Sequence, residues 1–316
     1  MRPVRLTALL LAALLPACAG DAGAPSDAAP GPVLTAGWIG DVETLDPARA
    51  TDERSLRVAG EAFDTLARLQ PGTERIAPGI ASAWSVSRDG RTWTFRLAPG
   101  LRFADGTPLD ANAVKFNLDR WRDSRDPARG PGPFAAYARV FGGFDGASAI
   151  ASVVAAGPRT LVVRGRVRLD ALPEDLAAPA FGIGSPGALS ASPSAFAEHP
   201  VASGPYAVRG WVRGEYVDLV RNPYWSGARP AFAQVVIRDI PDPLTTVLAL
   251  EKSDIDLLAD PRPEDIDRLS QAPGVRLYRA PGSSAVSFAA KDSIDGIVAS
   301  PDGAFNFITM KPKAGP

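Results

Sequence analysis

A mixed α/β fold is what the sequence predicts, and three observations carry that prediction. Short runs of alternating apolar and polar residues are interleaved with helical stretches of about 8 to 14 residues, the pattern of layered α/β proteins. Glycine and proline are abundant, 30 and 31 of 316 residues, which favours many turns and short elements over a helical bundle. Hydrophobic residues make up 46 % and charged residues 22 %, so a packed core is expected over one large domain or two ordinary ones.

The first residues are of a different kind. Arg2 and Arg5 precede an apolar run that ends in Leu15-Pro16-Ala17-Cys18. A charged start, a short apolar stretch and small residues before a cut describe an export signal over residues 1–17, too short to span a bilayer. Cys18 is the sole cysteine, which rules out an intramolecular disulfide. Two readings of it stand: a lipidation site, or an incidental residue after a plain signal peptide. Removing residues 1–17 takes two arginines and no acid, moving the net charge from −1 to −3. That balance gives no electrostatic footprint for nucleic acid. Residues 18–32, rich in Ala, Gly, Pro, Ser and Asp, cannot bury enough apolar surface to order themselves and read as a flexible tether.

The folded part begins with a strand over residues 33–39, then a helix over 56–69 with Val58, Ala62, Leu66 and Leu69 at helical spacing. Trp93, Phe95 and Leu97 alternate with Thr94 and Arg96, and Arg88-Asp89-Gly90 supplies a turn. This predicts a hairpin of residues 83–87 and 92–97. Asp110 is placed to cap a helix over 111–122, with Val114, Leu118 and Trp121 on one face. Strands follow at 150–155 and 160–166. After a Gly/Pro/Ser-rich stretch (181–193), residues 206–212 and 216–221 form a second hairpin. A strand at 234–240 precedes a helix opened by Pro243, and short strands at 254–258, 275–279, 285–289 and 304–310 surround a helix from Pro263 to about 271.

Several segments, in this order and spacing, resemble the family 5 extracellular solute-binding proteins of ABC importers. They are Glu43-Thr44-Leu45-Asp46-Pro47, Ala77-Pro78-Gly79-Ile80-Ala81, Arg91-Thr92-Trp93-Thr94-Phe95-Arg96-Leu97 and Phe103-Ala104-Asp105-Gly106-Thr107-Pro108-Leu109. Further along come Ala202-Ser203-Gly204-Pro205-Tyr206, Arg221-Asn222-Pro223-Tyr224-Trp225 and Ile255-Asp256-Leu257-Leu258. The resemblance implies a periplasmic-binding-protein-like fold of type II, with domain I from residues 33–70 and 200–316 and domain II from 71–199. In the family a large third domain follows a late strand. Here the strand-like 281–289 and a tail resembling the family's C-terminus lie almost adjacent, so the third domain is expected to be largely absent, deleted near 290–292. Separately, Leu15 three places before Cys18, with Ala17 directly before it, resembles the bacterial lipobox, whose cysteine receives the lipid.

For function it implies a lipid-anchored receptor that passes a peptide or peptide-like solute to an ABC permease and ATPase complex, with no cofactor. The alternative is a truncated, non-binding scaffold or regulatory lipoprotein. An enzyme is disfavoured by the residues themselves. His199 is the single histidine, no Gly-x-Ser-x-Gly elbow accompanies it, and no phosphate-binding loop is present. Candidate ligand contacts are Leu45 and Asp46, near the lobe junction, with Phe134, Tyr137 and Phe181 on the inner face of domain II. Asp46 has an alternative as a cap of local backbone donors, and Trp121, a fourth aromatic for that inner face, has one as part of the core stripe with Val114 and Leu118. Arg120, Arg122, Arg125 and Arg129 are either a basic cluster for an anionic solute or a solvated face.

Overall fold

The computed structural model describes residues 31–70, 73, 75–279, 286–295, 297, 307 and 309–313. The export signal, Cys18 and nearly all of the tether lie outside them. The chain forms β1 (Val33–Trp38), α1 (Glu53–Ala62), β2 (Ala67–Leu69), β3 (Ile76–Pro78), β4 (Ala81–Val86), β5 (Thr92–Leu97) and α2 (Ala111–Arg122). Next come α3 (Ala135–Phe141), β6 (Ile150–Ala155), β7 (Thr160–Gly165) and the short helices α4 (Leu172–Asp175), α5 (Pro186–Ala191) and α6 (Pro193–Phe196). The remainder is β8 (Tyr206–Val212), β9 (Tyr216–Arg221), β10 (Gln234–Asp239), α7 (Pro243–Lys252), β11 (Leu257–Ala259), α8 (Ile266–Gln271), β12 (Val275–Arg279), β13 (Val286–Lys291), β14 (Ile294–Asp295) and β15 (Lys311–Pro312).

Two sheets organise these elements. The larger has seven strands in the order β12-β13-β11-β1-β10-β9-β8. Its centre is parallel, with β1 between β10 and β11, and its flanks are antiparallel. The smaller sheet has four antiparallel strands, β4-β5-β7-β6. Alternation sends Trp93, Phe95, Leu97, Leu161 and Val163 into a core shared with Val114, Leu118 and Trp121 of α2. Leu34, Ala36, Val217, Leu219, Val235 and Ile237 build the core of the larger sheet.

The hairpins and α7 fall where sequence patterning puts them. The helix expected over 56–69 is displaced: it starts under the Asp52 carboxylate, which accepts the Ser55 amide (2.8 Å), and stops at Ala62. The reason lies at Asp64, whose carboxylate takes the Thr65 amide (2.9 Å) and both ends of the Arg68 guanidinium (2.7 and 2.6 Å). Such local side-chain bonds compete with helix continuation, and residues 67–69 pair with 76–78 instead. The strand expected over 304–310 lies mostly outside the described residues. Of the described ones, Phe307 and Thr309 are in turns, and the pairing strand is Lys311–Pro312.

One ion pair ties the two sheets. Asp46 lies on the segment leaving β1 and is fully buried, as is Arg120 of α2 at 1 % exposure. Arg120 Nη1 donates to Asp46 Oδ1 at 3.3 Å, and Nη2 bonds Oδ2. Two further guanidinium hydrogens go to the carbonyls of Ala128 (2.6 Å) and Arg129 (3.2 Å). Asp46 Oδ1 also accepts the Ala48 amide at 3.2 Å.

A second buried carboxylate lacks such a partner. Glu61 Oε1 accepts the Phe307 amide (2.9 Å), while Oε2 has no hydrogen-bond partner among the described residues. Burial pushes its pKa up to about 8, against the lowering effect of the Phe307 bond.

Two outcomes follow for stability. Arg120→Ala leaves the Asp46 charge buried and unpaired, and should lower the unfolding free energy by about 3–5 kcal/mol, whereas Asp46→Leu combined with Arg120→Met should recover most of the loss. Chemical denaturation measures both. Folded Glu61 keeps its proton where unfolded Glu61 has lost it. The stability this contributes is complete below about pH 4.5 and is lost as pH rises towards 8. Glu61→Gln should therefore flatten the decline in denaturation midpoint between these values.

Candidate functional site

In open α/β sheets, ligands gather outside the carboxyl ends of the parallel strands. Here that place is the end of the β11-β1-β10 triplet. β1 runs out at Trp38, and the chain turns through Gly40, whose φ is +92° and whose amide donates to the Asp239 carboxylate (2.8 Å). Glycine suits this turn on two counts. The left-handed backbone disfavours a side chain, and an added Cβ would meet the Arg54 guanidinium carbon at 3.0 Å. Arg54 lies across this turn because its Nε donates to the Ile39 carbonyl at 2.6 Å.

β11 ends in a comparable way. Asp260 has φ +52°, an uncommon conformation for a residue with a side chain, though aspartate is among those that tolerate it. Such backbone outliers recur at ligand clamps and active sites. Its amide is held by the Ser287 carbonyl (2.9 Å), and its carboxylate meets Arg57 Nη1 and Nη2 at 2.6 and 3.1 Å. Arg57 Nη2 also reaches Glu53 at 2.7 Å. Arg57 is nearly buried while Asp260 faces solvent, with side-chain exposures of 8 % and 59 %. Beside the pair lies a shallow surface hollow with room for about one water molecule, lined among others by Ile39, Pro243, Asp260, Arg262 and Asp265. Arg262 is fixed by Asp265 (2.8 Å) and Glu264 (3.1 Å). The rim thus offers both signs of charge over an apolar floor, suited to holding a polar solute by non-covalent contacts. Among the described residues no group of three His, Cys, Asp or Glu side chains could hold a metal ion.

The residues singled out in the sequence occupy other positions. Leu45 is in the core with Leu34 and Val58, and its amide donates across to the Ala197 carbonyl (2.9 Å). Asp46 is consumed by Arg120. Phe134 is fully buried and left-handed (φ 47°), with the Arg120 and Arg129 guanidinium carbons 5.0 and 4.0 Å from its ring centre. Tyr137 shares a 2.7 Å hydrogen bond with Ser148 and packs 4.9 Å from Phe141; burial pushes its phenol up to about 12. Phe181 packs 5.4 Å from Trp121 and 5.7 Å from Phe141. The structure therefore brings Phe134, Tyr137 and Phe181 into one aromatic core behind α2 and α3, with their side chains turned from solvent. Of the four arginines, Arg120 and Arg129 are buried, Arg122 pairs with Asp119 (2.7 Å), and Arg125 is exposed.

Arg57 and Asp260 were not singled out from the sequence. Their one local signal is the Asp260-Pro261 step, one residue beyond the strand-like Ile255-Asp256-Leu257-Leu258 segment. The pairing itself joins positions 203 residues apart.

Comparison with known proteins agrees with this architecture. Residues 75–310 match the profile of the bacterial extracellular solute-binding proteins, family 5 Middle. The chain is 28 % identical over 293 residues to the probable D,D-dipeptide-binding periplasmic protein DdpA of Escherichia coli K12, covering 87 % of this chain and 51 % of the relative. It is 31 % identical over 209 residues to the glutathione-binding protein GsiB of E. coli O1:K1, covering 66 % of this chain and 38 % of GsiB. Among solved structures, the ABC transporter-associated periplasmic binding protein DppA from Helicobacter pylori, in complex with the peptide STSA, superposes with a TM-score of 0.72 at 26 % identity. That match covers 78 % of this chain and 50 % of DppA. The chain spans about half the length, or less, of the curated relatives it matches. These relatives are named for what they bind, not for a reaction. With the profile running through both sheets, the chain belongs to the family 5 bacterial extracellular solute-binding proteins.

Proposed function

We propose that this chain captures a peptide or peptide-like solute outside the cytoplasmic membrane, non-covalently, and delivers it to an ABC permease and ATPase complex. The carrying observation is the Arg57–Asp260 pair at the open end of the parallel strands, beside the Arg262 hollow. A peptide is zwitterionic, and a rim with both charges answers it: Asp260 for the amino group, the guanidinium side for the carboxylate. Relatives described as a probable D,D-dipeptide-binding protein, a glutathione-binding protein and a binding protein in complex with the peptide STSA support this class of cargo. Leu45, Asp46, Phe134, Tyr137 and Phe181 enter as positioning residues that hold the segment leaving β1 and the loop before α3. In this reading residues 1–17 direct export, Cys18 carries the lipid and residues 18–32 form the leash. Residues 33–70 and 200–316 act as domain I, and residues 71–199 act as domain II. The exposed turn at Asp292 and Ser293 is where longer relatives would carry further chain, since exposed tips accept insertions.

A second reading, a non-binding scaffold, is favoured by the coverage of only half of the relatives' length. Thermal unfolding of the chain with dipeptides, tripeptides, glutathione, metal chelates and sugars separates the two. A ligand at a hundred times its Kd adds about 2.7 kcal/mol, a rise of roughly 5 °C for a protein of this size. Peptides should produce it, and Asp260→Asn, which keeps a residue tolerant of the left-handed backbone, should weaken their binding about 10- to 100-fold. A cooperative transition that no solute moves would establish the scaffold.

A further inference from the structure

The four-stranded sheet has a second face that solute capture does not use. Residues 81–98 and 150–169, which hold all four strands, contain seven arginines against a single aspartate, in a chain whose net charge is −1. All seven, Arg88, Arg91, Arg96, Arg159, Arg164, Arg166 and Arg168, are exposed. Strand alternation places Arg96 and Arg164, while the other five lie in the loops that flank the strands. Trp93, Phe95, Leu97, Leu161 and Val163 point into the core under α2, so Thr92, Thr94, Arg96, Thr160, Val162 and Arg164 stand on the opposite side. Register runs one row across that side, Ser85 to Thr94 to Val162 to Val154. Arg164 faces Thr92 at one end of the row's flank, and Arg96 faces Thr160 at the other.

Nearby carboxylates offset part of this charge and leave an excess of arginines. Arg168 pairs with Asp170, and Arg166 reaches the Asp145 carbonyl at 3.4 Å. Asp89, whose carboxylate accepts from the Ser87 hydroxyl (2.6 Å) and the Arg91 amide (3.0 Å), keeps its negative charge beside Arg91. Asp110, next to the Arg159 loop, caps α2 through the amides of Asn112 and Ala113 (2.9 and 3.0 Å). The face is also plain: short hydroxyls and valines between two groups of arginines, with no aromatic anchor. Protein partners recognised tightly need such anchors seated in pockets. A charged plane needs only opposite charge within a Debye length.

We propose that this outer sheet face docks the protein electrostatically on an anionic phospholipid surface, holding the domain against the membrane independently of any lipid on Cys18. The test compares cosedimentation of the full chain with phosphatidylglycerol and phosphatidylcholine vesicles, since a lipid anchor contributes to both and the difference isolates charge. Binding to phosphatidylglycerol should be tighter by at least about a hundredfold at about 20 mM salt, with the preference largely gone at about 500 mM. Each arginine removed should cost about fivefold. Arg88→Gln, Arg91→Gln and Arg164→Gln together should thus reduce the preference on the order of a hundredfold, while Arg276→Gln on β12 leaves it unchanged. Arg96→Gln with Arg159→Gln, at the other end of the face, provides an independent variant should the triple variant fail to fold. Equal binding to both vesicles at low salt, or a preference that survives these substitutions, would overturn the proposal. Binding of polyglutamate without a phosphatidylglycerol preference would also overturn it, in favour of an acidic protein partner.

Discussion

The bond between Asp46 and Arg120 is the constraint on which the rest of the structure depends. Removing two charges from water costs several kcal/mol per ion, and the mutual attraction offsets that cost only where the remaining donors and acceptors are also satisfied. Here they are: the guanidinium reaches the carbonyls of Ala128 and Arg129, and the carboxylate takes a backbone amide of its own segment. The pair therefore fixes three stretches of chain at once, the exit from β1, the end of α2 and the loop leading to Phe134. Arg129 joins the same assembly by stacking on Phe134 and on Phe144, and burial beside Arg120 lowers its pKa.

This junction bears on the rim at Arg57 and Asp260 because the same short segment serves both. Between Trp38 and Asp52 the chain leaves the parallel strands, wraps Gly40 under Arg54, bonds Asp41 to the Trp211 indole (3.0 Å) and the Gly214 amide (2.8 Å), and enters the pair through Asp46. α1 then begins, and its first two turns supply Arg54 and Arg57 to the strand ends. A rigid junction thus sets where α1 starts, and α1 sets the guanidinium beside Asp260. Strain at Asp260 persists because Arg57 and the Ser287 carbonyl hold it from two sides.

Much of the fold was legible because local chemistry and tertiary packing agree in those places. Trp93, Phe95 and Leu97 alternate on a strand buried on one face, and Asp242-Pro243 both caps and opens α7. Where they disagree, the sequence misleads. Leu66 and Leu69 continue a helical spacing that Asp64 and Thr65 interrupt by bonding their own backbone. α5 and α6 lie in a stretch that reads as loop, because the prolines and serines that open short helices also mark turns. The site was less legible than the fold. Nothing local in Phe134 or Tyr137 separates a loop aromatic facing a ligand from one stacked between buried arginines. The partners of Asp46 and Asp260 lie 74 and 203 residues away.

The most direct measurement of the junction's role is amide hydrogen exchange on the Arg120→Met protein, under conditions where it remains folded. If one buried pair holds both segments, protection should fall together in residues 44–50 and 126–134. Protection should also fall in the first turn of α1, while β9 and β10 keep their protection. Independent loosening of these segments, or protection unchanged in all of them, would contradict the account.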